Sequence, residues 1–150
     1  MYLILKIIFY ILVKEYDTCN PFELVKDLKI NLYYLDLPCK IRGFYNAIKY
    51  RDTLIKQIGI NRNLSEKTRR AVLAHELGHA ILHPEHSTVC FFTKFYIGKT
   101  KYEIEANRFG YYLLLKNSYL EEDKEVNFKI DFNSRQAHEV LRSLLNYEMV

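Results

Sequence analysis

The pattern of apolar residues changes along the chain from helical spacing to alternation and back to helical spacing. Near the start, apolar residues recur three and four positions apart, which predicts an amphipathic helix packed on the rest of the domain. They are Leu3, Ile4, Ile7, Ile8, Ile11 and Leu12. Lys6 interrupts this run and Lys14 ends it, so it is shorter than the roughly 20 apolar residues that cross a bilayer. It also has neither the basic start nor the cleavage site of an export signal, and a membrane-surface role stays as an alternative.

A short helix and three strands are predicted in the next part of the chain. Asn20 and Pro21 are typical of a helix start, as N-cap and first helical residue, and FELVKDL follows them. The segment INLYYLDLP then predicts a strand that ends at Pro38, and residues 41–61 predict two strands around a turn near residues 49–52. In the second of these strands polar and apolar residues are mixed, which indicates an edge or half-exposed strand over residues 53–60.

Helices dominate the second half of the pattern. A long helix is predicted from about Glu66 to His83, with Ser65 as its N-cap and Pro84 as its stop. The apolar segment STVCFFTKFYIG predicts a strand or an ordered loop, and two further helices are predicted, over residues 101–117 and over RQAHEVLRSLLNYEMV at the end. A length of 150 residues suits one domain. The order of elements therefore predicts a single α+β domain over residues 1–150 with a small sheet.

Composition and charge narrow the possible functions. The net charge is +4, from 22 basic and 18 acidic residues, and the basic residues are scattered, so nothing indicates direct binding to nucleic acid. The three cysteines, Cys19, Cys39 and Cys90, are far apart in sequence and odd in number. This argues against a disulfide framework and fits a reducing compartment. We expect them to be small buried residues, with a thiolate metal ligand or a redox switch as the alternative.

Four of the five histidines lie between positions 75 and 86. His75 and His79 are four residues apart, so on a helix they share a face, about 40° apart around the axis and roughly 6 Å apart along it. Two imidazoles so placed can bind one metal ion. Glu76 lies within reach of a water at that ion, which is the HExxH arrangement of zinc peptidases, with glutamate as the general base. The alternative interpretation is a pair of hydrogen-bonded core histidines.

The other histidines are predicted to have roles other than binding this metal ion. His83 lies a full turn beyond His79, so one zinc ion with bonds of about 2 Å cannot bind His75, His79 and His83 together. We expect His83 to be a buried hydrogen-bonding residue at the helix end, in support of the site. His86 is predicted in a loop, either solvated or stabilising an oxyanion, and His138 is expected to be structural.

A third ligand is predicted on the helix over residues 101–117. One stripe of that helix carries a carboxylate and two very small residues, which allow close approach to the histidine helix. The stripe is Glu103, Ala106, Asn107, Gly110 and Leu114. We therefore expect Glu103 to bind the metal and Asn107 to hydrogen-bond a ligand. Glu105 points about 160° away on an ideal helix, so it is expected to be solvated or paired at the surface. Alternatively, Glu103 pairs with Arg69 or Arg70.

These motifs resemble a known family, the ImmA/IrrE zinc metallopeptidases. HELGHAILH at residues 75–83 is similar to the family's HExGHxxLH, and EIEANRFGYYLLL at residues 103–115 is similar to its ExxANxFAxxLL. NPFELVKDLKINLYYLDLP and TLIKQIGINRNLS resemble the segments that precede the first motif, so the resemblance covers roughly residues 15–116. Gly110 departs from the family's usual alanine, a change that a close-packed face tolerates.

The resemblance implies a small thermolysin-like (zincin) domain, with a short mixed sheet packed on the HExxH helix and a second helix that carries the third ligand. It implies a Zn²⁺ ion held by His75, His79 and Glu103, with Glu76 activating water. It also implies a cytoplasmic endopeptidase, often encoded on phages and mobile elements, that cleaves a helix-turn-helix repressor. The chain has no recognisable DNA-binding domain, so operator binding is expected to belong to the substrate.

Three functional hypotheses follow. The first is a zinc-dependent protease that cleaves a repressor, and its extended substrate is expected to add a strand along Thr53–Ile60. The second is a protein that binds a regulator without cutting it, with a structural or vestigial zinc site. The third, a membrane-associated peptidase, depends only on the N-terminal helix. Glu76 favours the first, because a purely structural metal site has no use for a base at that position.

Overall fold

In a computed structural model, residues 2–91 and 100–121 are described, and over these residues the chain forms four helices and four strands. In chain order they are α1 Tyr2–Tyr16, α2 Pro21–Asp27, β1 Asn31–Leu35, β2 Ile41–Tyr50, β3 Thr53–Asn61, α3 Glu66–Leu82, β4 Thr88–Phe91 and α4 Lys101–Glu121. The predicted α+β class is confirmed. The helix predicted at residues 135–150, with His138, lies outside the described residues, as does most of the segment after β4.

Capping side chains set the starts of α2 and α3. The Asn20 side chain accepts a hydrogen bond from the Phe22 backbone N–H at 3.0 Å, and Pro21 is the first residue of α2. The Ser65 hydroxyl accepts one from the Thr68 N–H at 3.2 Å. These bonds satisfy N–H groups that have no partner inside the helix. Both predicted helix starts are therefore confirmed.

The four strands form one mixed sheet in the order β1-β3-β2-β4. Strand β3 runs parallel to β1 and antiparallel to β2, and β2 is also antiparallel to β4. The turn between β2 and β3 is tight, with Arg51 in the left-handed region at φ 54°. The short mixed sheet expected from the sequence is thus present, and β1 and β4 are its outer strands among the residues described.

The prediction that residues 53–60 form an edge strand is wrong. Gln57 of β3 pairs with Asn31 on one side and Asn46 on the other, and only the first four residues of β3 lack a β1 partner. The polar residue that suggested exposure has another explanation. The Lys56 ammonium group donates to the Ala80 carbonyl at 2.8 Å and so caps the C-terminal end of α3. An extended substrate therefore cannot pair along the whole of Thr53–Ile60 as predicted, because residues 57–60 already pair on both sides.

Helix α3 occupies the centre of the molecule, between the sheet and α4. All ten residues from Ala71 to Ala80 are buried. Helix α4 lies close to α3 because each helix places a glycine against the backbone of the other. A Cβ at Gly78 would stand 2.8 Å from the Ala106 Cα, and one at Gly110 would stand 3.1 Å from the Ala74 carbonyl carbon. The small-residue stripe predicted from the sequence does bring the two helices together.

Helix α1 packs on the opposite side of α4. The Phe9 ring lies 5.9 Å from that of Phe109 and 5.5 Å from that of Tyr112. The predicted packing of this helix on the domain is correct, but its predicted face is partly wrong, because Ile7 and Ile11 are about half exposed. Because the aromatic contacts of α1 are made with α4, the flank of α1 that carries Ile7 and Ile11 faces outward. Within residues 2–91 and 100–121, no helix has the length and apolarity needed to cross a membrane.

The cysteines are only partly as expected. Cys19 is buried in the core, whereas Cys39 is exposed. Cys39 follows Pro38 in the connection between β1 and β2, where the chain runs over the surface. Neither Cys19 nor Cys39 is in a disulfide. The side chain of Cys90 is outside the described part of the structure.

Candidate metal centre

Two histidines of α3 and one glutamate of α4 converge on a single point. The Nε2 atoms of His75 and His79 are 3.1 Å apart. The two carboxylate oxygens of Glu103 lie 3.3 Å from His75 Nε2 and 3.2 Å from His79 Nε2. One donor atom from each residue lies within 4.8 Å of the other two, which makes this a group able to hold a metal ion. The structure therefore brings together the three residues predicted as ligands.

The donor spacing fits a zinc ion. Tetrahedral zinc with bonds of about 2.0–2.1 Å places its ligand atoms roughly 3.3–3.4 Å apart. Here the two imidazole nitrogens are 3.1 Å apart, and each lies 3.2–3.3 Å from one oxygen of Glu103, His75 from Oε2 and His79 from Oε1. Two imidazoles and one carboxylate are also the donor set of catalytic zinc sites, which keep a fourth position for water or substrate. Spacing and donor chemistry both suit the metal that the sequence predicts.

The arginines considered as alternative partners of Glu103 face elsewhere. The Arg69 guanidinium lies 5.6 Å from the centre of the Tyr34 ring, and that of Arg70 lies 6.0 Å from the Phe22 ring. The Glu103 carboxylate instead contacts the two histidines, at 3.3 Å from His75 Nε2 and 3.2 Å from His79 Nε2. Burial raises the pKa of the Glu103 carboxyl, but the two histidines beside it outweigh burial and hold that pKa well below its usual range. Glu103 is therefore ionised and able to bind a cation.

Asn107 fixes the orientation of the first histidine. Its side-chain oxygen lies 2.8 Å from His75 Nδ1, one turn beyond Glu103 on α4. With the amide oxygen as acceptor, Nδ1 carries the proton and the Nε2 lone pair faces the metal position. Burial lowers the pKa of His75, but Glu103, Glu76 and Asn107 together raise it more. In His79 burial prevails and lowers the pKa. Asn107 thus lies where the sequence prediction put it.

Glu76 lies beside the three converging residues and is fully buried. Its Oε2 accepts a hydrogen bond from the Thr88 hydroxyl at 3.2 Å, while its Oε1 has no hydrogen-bond partner among the described residues. Burial raises the pKa of this carboxyl to about 7. A carboxylate with a free oxygen next to a metal position is the group that general-base chemistry requires.

His83 and Glu105 form a separate pair behind the metal centre. Their side chains are 3.1 Å apart, and Lys101 is 3.9 Å from the other Glu105 oxygen. Burial lowers the pKa of His83. The prediction of a solvated or surface Glu105 is wrong, since the residue is 7% exposed. Helix α4 is buried on more than one face, and the end of α3 covers the flank that carries Glu105.

The buried position predicted for His83 is correct, but among the described residues its side chain supports the centre only indirectly. Its Nε2 lies 3.1 Å from a Glu105 carboxylate oxygen, and its ring stands 6.1 Å from that of His79. His86 is exposed, as a solvated loop residue would be, and its ring stacks on Tyr102 at 4.9 Å. The Tyr102 ring also contacts His83 at 4.5 Å.

Sequence reasoning missed two residues that shape the site. Thr88, at the start of β4, contacts the carboxylate of Glu76. Tyr45 of β2 is fully buried, and its hydroxyl donates to the Pro84 carbonyl at 2.6 Å, which ties the sheet to the end of the histidine helix. Burial raises the pKa of Tyr45 to about 12. No spacing rule marks either residue, because both contacts depend on how β2 and β4 pair.

An HExxH helix, a glutamate from a second helix and a small mixed sheet define a zincin-like metallopeptidase domain. The chain belongs to the ImmA/IrrE family, because the sequence profile of the IrrE N-terminal-like domain, peptidase M78, matches residues 25–149. A protein of Bacillus phage phi105, called uncharacterized immunity region protein 2, is 41% identical over 120 residues, which cover 80% of this chain and 73% of that protein. No solved structure matches the chain.

Proposed function

We propose that this chain is a zinc-dependent endopeptidase that cleaves a helix-turn-helix transcriptional repressor. One observation carries the chemical part of the proposal. His75, His79 and Glu103 converge with the spacing of zinc ligands, and Glu76 lies beside them with one oxygen lacking a partner among the described residues. Membership of a metallopeptidase family supports the same chemistry.

Each side chain of the site has its own role in the proposed hydrolysis of a peptide bond. His75, His79 and Glu103 would hold Zn²⁺, which when bound supplies a positive charge that acidifies water and polarises the peptide carbonyl. Glu76 takes a proton from the attacking water. The water oxygen then bonds to the carbonyl carbon, the peptide C–N bond breaks, and the proton held by Glu76 passes to the leaving amine. Asn107 keeps His75 in the tautomer whose Nε2 lone pair faces the metal.

The substrate class and the compartment come from relatives. The resemblance to ImmA/IrrE peptidases supplies a helix-turn-helix repressor as the substrate and the cytoplasm as the place of action. The phage phi105 protein is named for an immunity region, and its similarity to this chain supports a role in phage regulation. We expect the repressor, and not the peptidase, to contact DNA.

Cleavage can be tested with a candidate helix-turn-helix repressor, sought among the reading frames next to this chain's own. We expect zinc-loaded protein to generate new N-termini that mass spectrometry locates. Glu76→Gln should lose at least 10²–10⁴-fold in rate, the usual contribution of a general base, with zinc content and fold retained. Glu85→Gln changes an exposed glutamate beyond the same helix and should cleave normally.

Two results would count against the proposal. Near wild-type proteolysis by Glu76→Gln would exclude this mechanism. A wild-type protein that binds the repressor tightly and leaves it intact would support the second hypothesis, a regulator-binding protein with a structural or vestigial zinc site. Elemental analysis of natively purified protein completes the test, because a chain that takes up no zinc cannot work in this way.

A further inference from the structure

Glu76 is attached at one oxygen to a residue outside the HExxH helix. Thr88 lies at the start of β4, twelve residues further along the chain, and its hydroxyl donates to Glu76 Oε2 at 3.2 Å. This distance is longer than the usual 2.7–2.8 Å of such bonds, and catalytic hydrogen bonds often shorten only when substrate is bound. Among the described residues, Thr88 is the hydrogen-bond partner of this carboxylate.

The hydrogen bond makes the two oxygens of Glu76 different. An ionised carboxylate has two equivalent oxygens, and either can accept a proton. With Oε2 held by Thr88, Oε1 is the oxygen left to accept one. Gly43 of β2 adds no side chain near Oε1, since a Cβ built there would be 3.8 Å from that atom. The carboxylate is therefore held on the β4 side, and its other oxygen, which is buried, has no hydrogen-bond partner among the described residues.

We propose that Thr88 is a positioning residue, whose hydroxyl holds Glu76 in the orientation in which Oε1 takes the proton of the attacking water. This inference rests on the proposed function. A misplacement of about 1 Å in a catalytic group can cost 10²-fold in rate. Without the hydroxyl, Glu76 would keep its charge but lose its fixed orientation, and the buried Oε2 would lose its donor.

The first test separates the hydroxyl from the shape of the side chain. Thr88→Val keeps the β-branched shape and removes the donor, whereas Thr88→Ser keeps the donor. With a peptide that spans the mapped cleavage site of the repressor, we expect Thr88→Val to lower kcat about 10–100-fold with KM within about twofold. Thr88→Ser should recover most of kcat. Thr53→Val, the same change at an exposed strand position, is the matched control and should leave kcat unchanged.

The second test asks whether Thr88 acts through Glu76. In the Glu76→Gln background, adding Thr88→Val should lower kcat no further, because the orientation it disturbs no longer matters. A second double-mutant cycle combines Thr88→Val with Glu76→Met. It measures urea unfolding of the metal-free protein, so it does not depend on activity. In the wild type, Thr88→Val should raise the equilibrium constant for unfolding about fivefold, as expected for one lost hydrogen bond. In the Glu76→Met protein, which lacks the acceptor, the same substitution should raise it much less.

The outcomes distinguish this inference from the proposed function. Wild-type kcat in Thr88→Val, in an enzyme that Glu76→Gln silences, would overturn the positioning role and leave the proposed function standing. Additive effects in both cycles would also overturn it, since Thr88 would then act independently of Glu76. A wild-type protein that cleaves nothing would overturn the proposed function, and the positioning role with it.

Discussion

Glu103 and Glu105 are two positions apart on α4 and face different histidines. Glu103 contacts His75 and His79, and Glu105 contacts His83. We expect Glu103→Gln to weaken zinc binding by more than about 100-fold, because loss of a ligand should exceed the 10–100-fold cost of losing a residue that only supports one. Glu105→Gln should keep zinc affinity within a few-fold of wild type. Competition with a chelator of known zinc affinity measures both.

The opposite ranking would show that the ligand is misassigned. If Glu105→Gln loses the metal and Glu103→Gln keeps it, the orientation of α4 described here is wrong. Glu105→Gln is the matched control, since it makes the same chemical change on the same helix. We expect it to lower the free energy of unfolding by about 1 kcal/mol, because the amide still fills the space beside His83 but replaces a charged partner.

At the residue scale, the sequence predicts what local helix geometry decides. The four-residue spacing of the two histidines and the stripe that begins at Glu103 are enough to propose the donor set, and the structure brings these residues together. The burial of Glu105 could not be predicted in this way. Its partner His83 is the C-cap residue of another helix, 22 positions earlier, and only the packing of α3 on α4 brings the two side chains together.

At the element scale, the contact between α3 and α4 sets the distance between the histidines and Glu103. Gly78 faces the Ala106 backbone, and a Cβ there would stand 2.8 Å from its Cα. Real Cβ atoms do not come so close to backbone, so Gly78→Ala must push the helices apart. We expect it to lower the free energy of unfolding by about 1–3 kcal/mol, the usual cost of overpacking a core.

The same change should also reach the metal centre. Separation of α3 from α4 moves Glu103 away from both imidazoles, so zinc affinity should fall together with stability. Urea unfolding of metal-free protein and chelator competition measure the two effects separately. Unchanged stability and unchanged zinc affinity in Gly78→Ala would show that the helices are not in the close contact described here.

Element boundaries and sheet order differ in how far the sequence determines them. Helix starts depend on local signals, and both Asn20 and Ser65 cap the helices they were predicted to cap. The place of β3 within the sheet depends on β1, which lies more than twenty residues earlier and covers the second half of β3. Lys56 suggested exposure, yet its ammonium group bonds the end of α3. The alternation of polar and apolar residues alone cannot distinguish an exposed edge strand from an inner strand whose lysine bonds the end of a helix.

At the scale of the whole molecule, the metal centre joins parts of the chain that are distant in sequence. The donors come from α3 and α4, and Glu76 is held from β4. Helix α4 is itself packed between α3 and α1. A bound ion would therefore connect the sheet-and-helix half of the domain to its helical half. Such a site is formed only in the folded chain, so zinc binding should contribute directly to stability.

We expect zinc to raise the thermal stability of this protein substantially. At a free zinc concentration of about 1,000 times Kd, binding to the folded state alone adds about 4 kcal/mol. For a chain of this size each kcal/mol shifts Tm by roughly 2–4 °C, so removal of zinc should lower Tm by about 10 °C. Scanning calorimetry of metal-free and zinc-saturated protein measures this shift. Glu103→Gln should lose most of it, and Glu105→Gln should keep it. If Glu103→Gln shows the same zinc-dependent rise in Tm as wild type, the stabilising ion binds elsewhere, and the centre formed by His75, His79 and Glu103 is not its site.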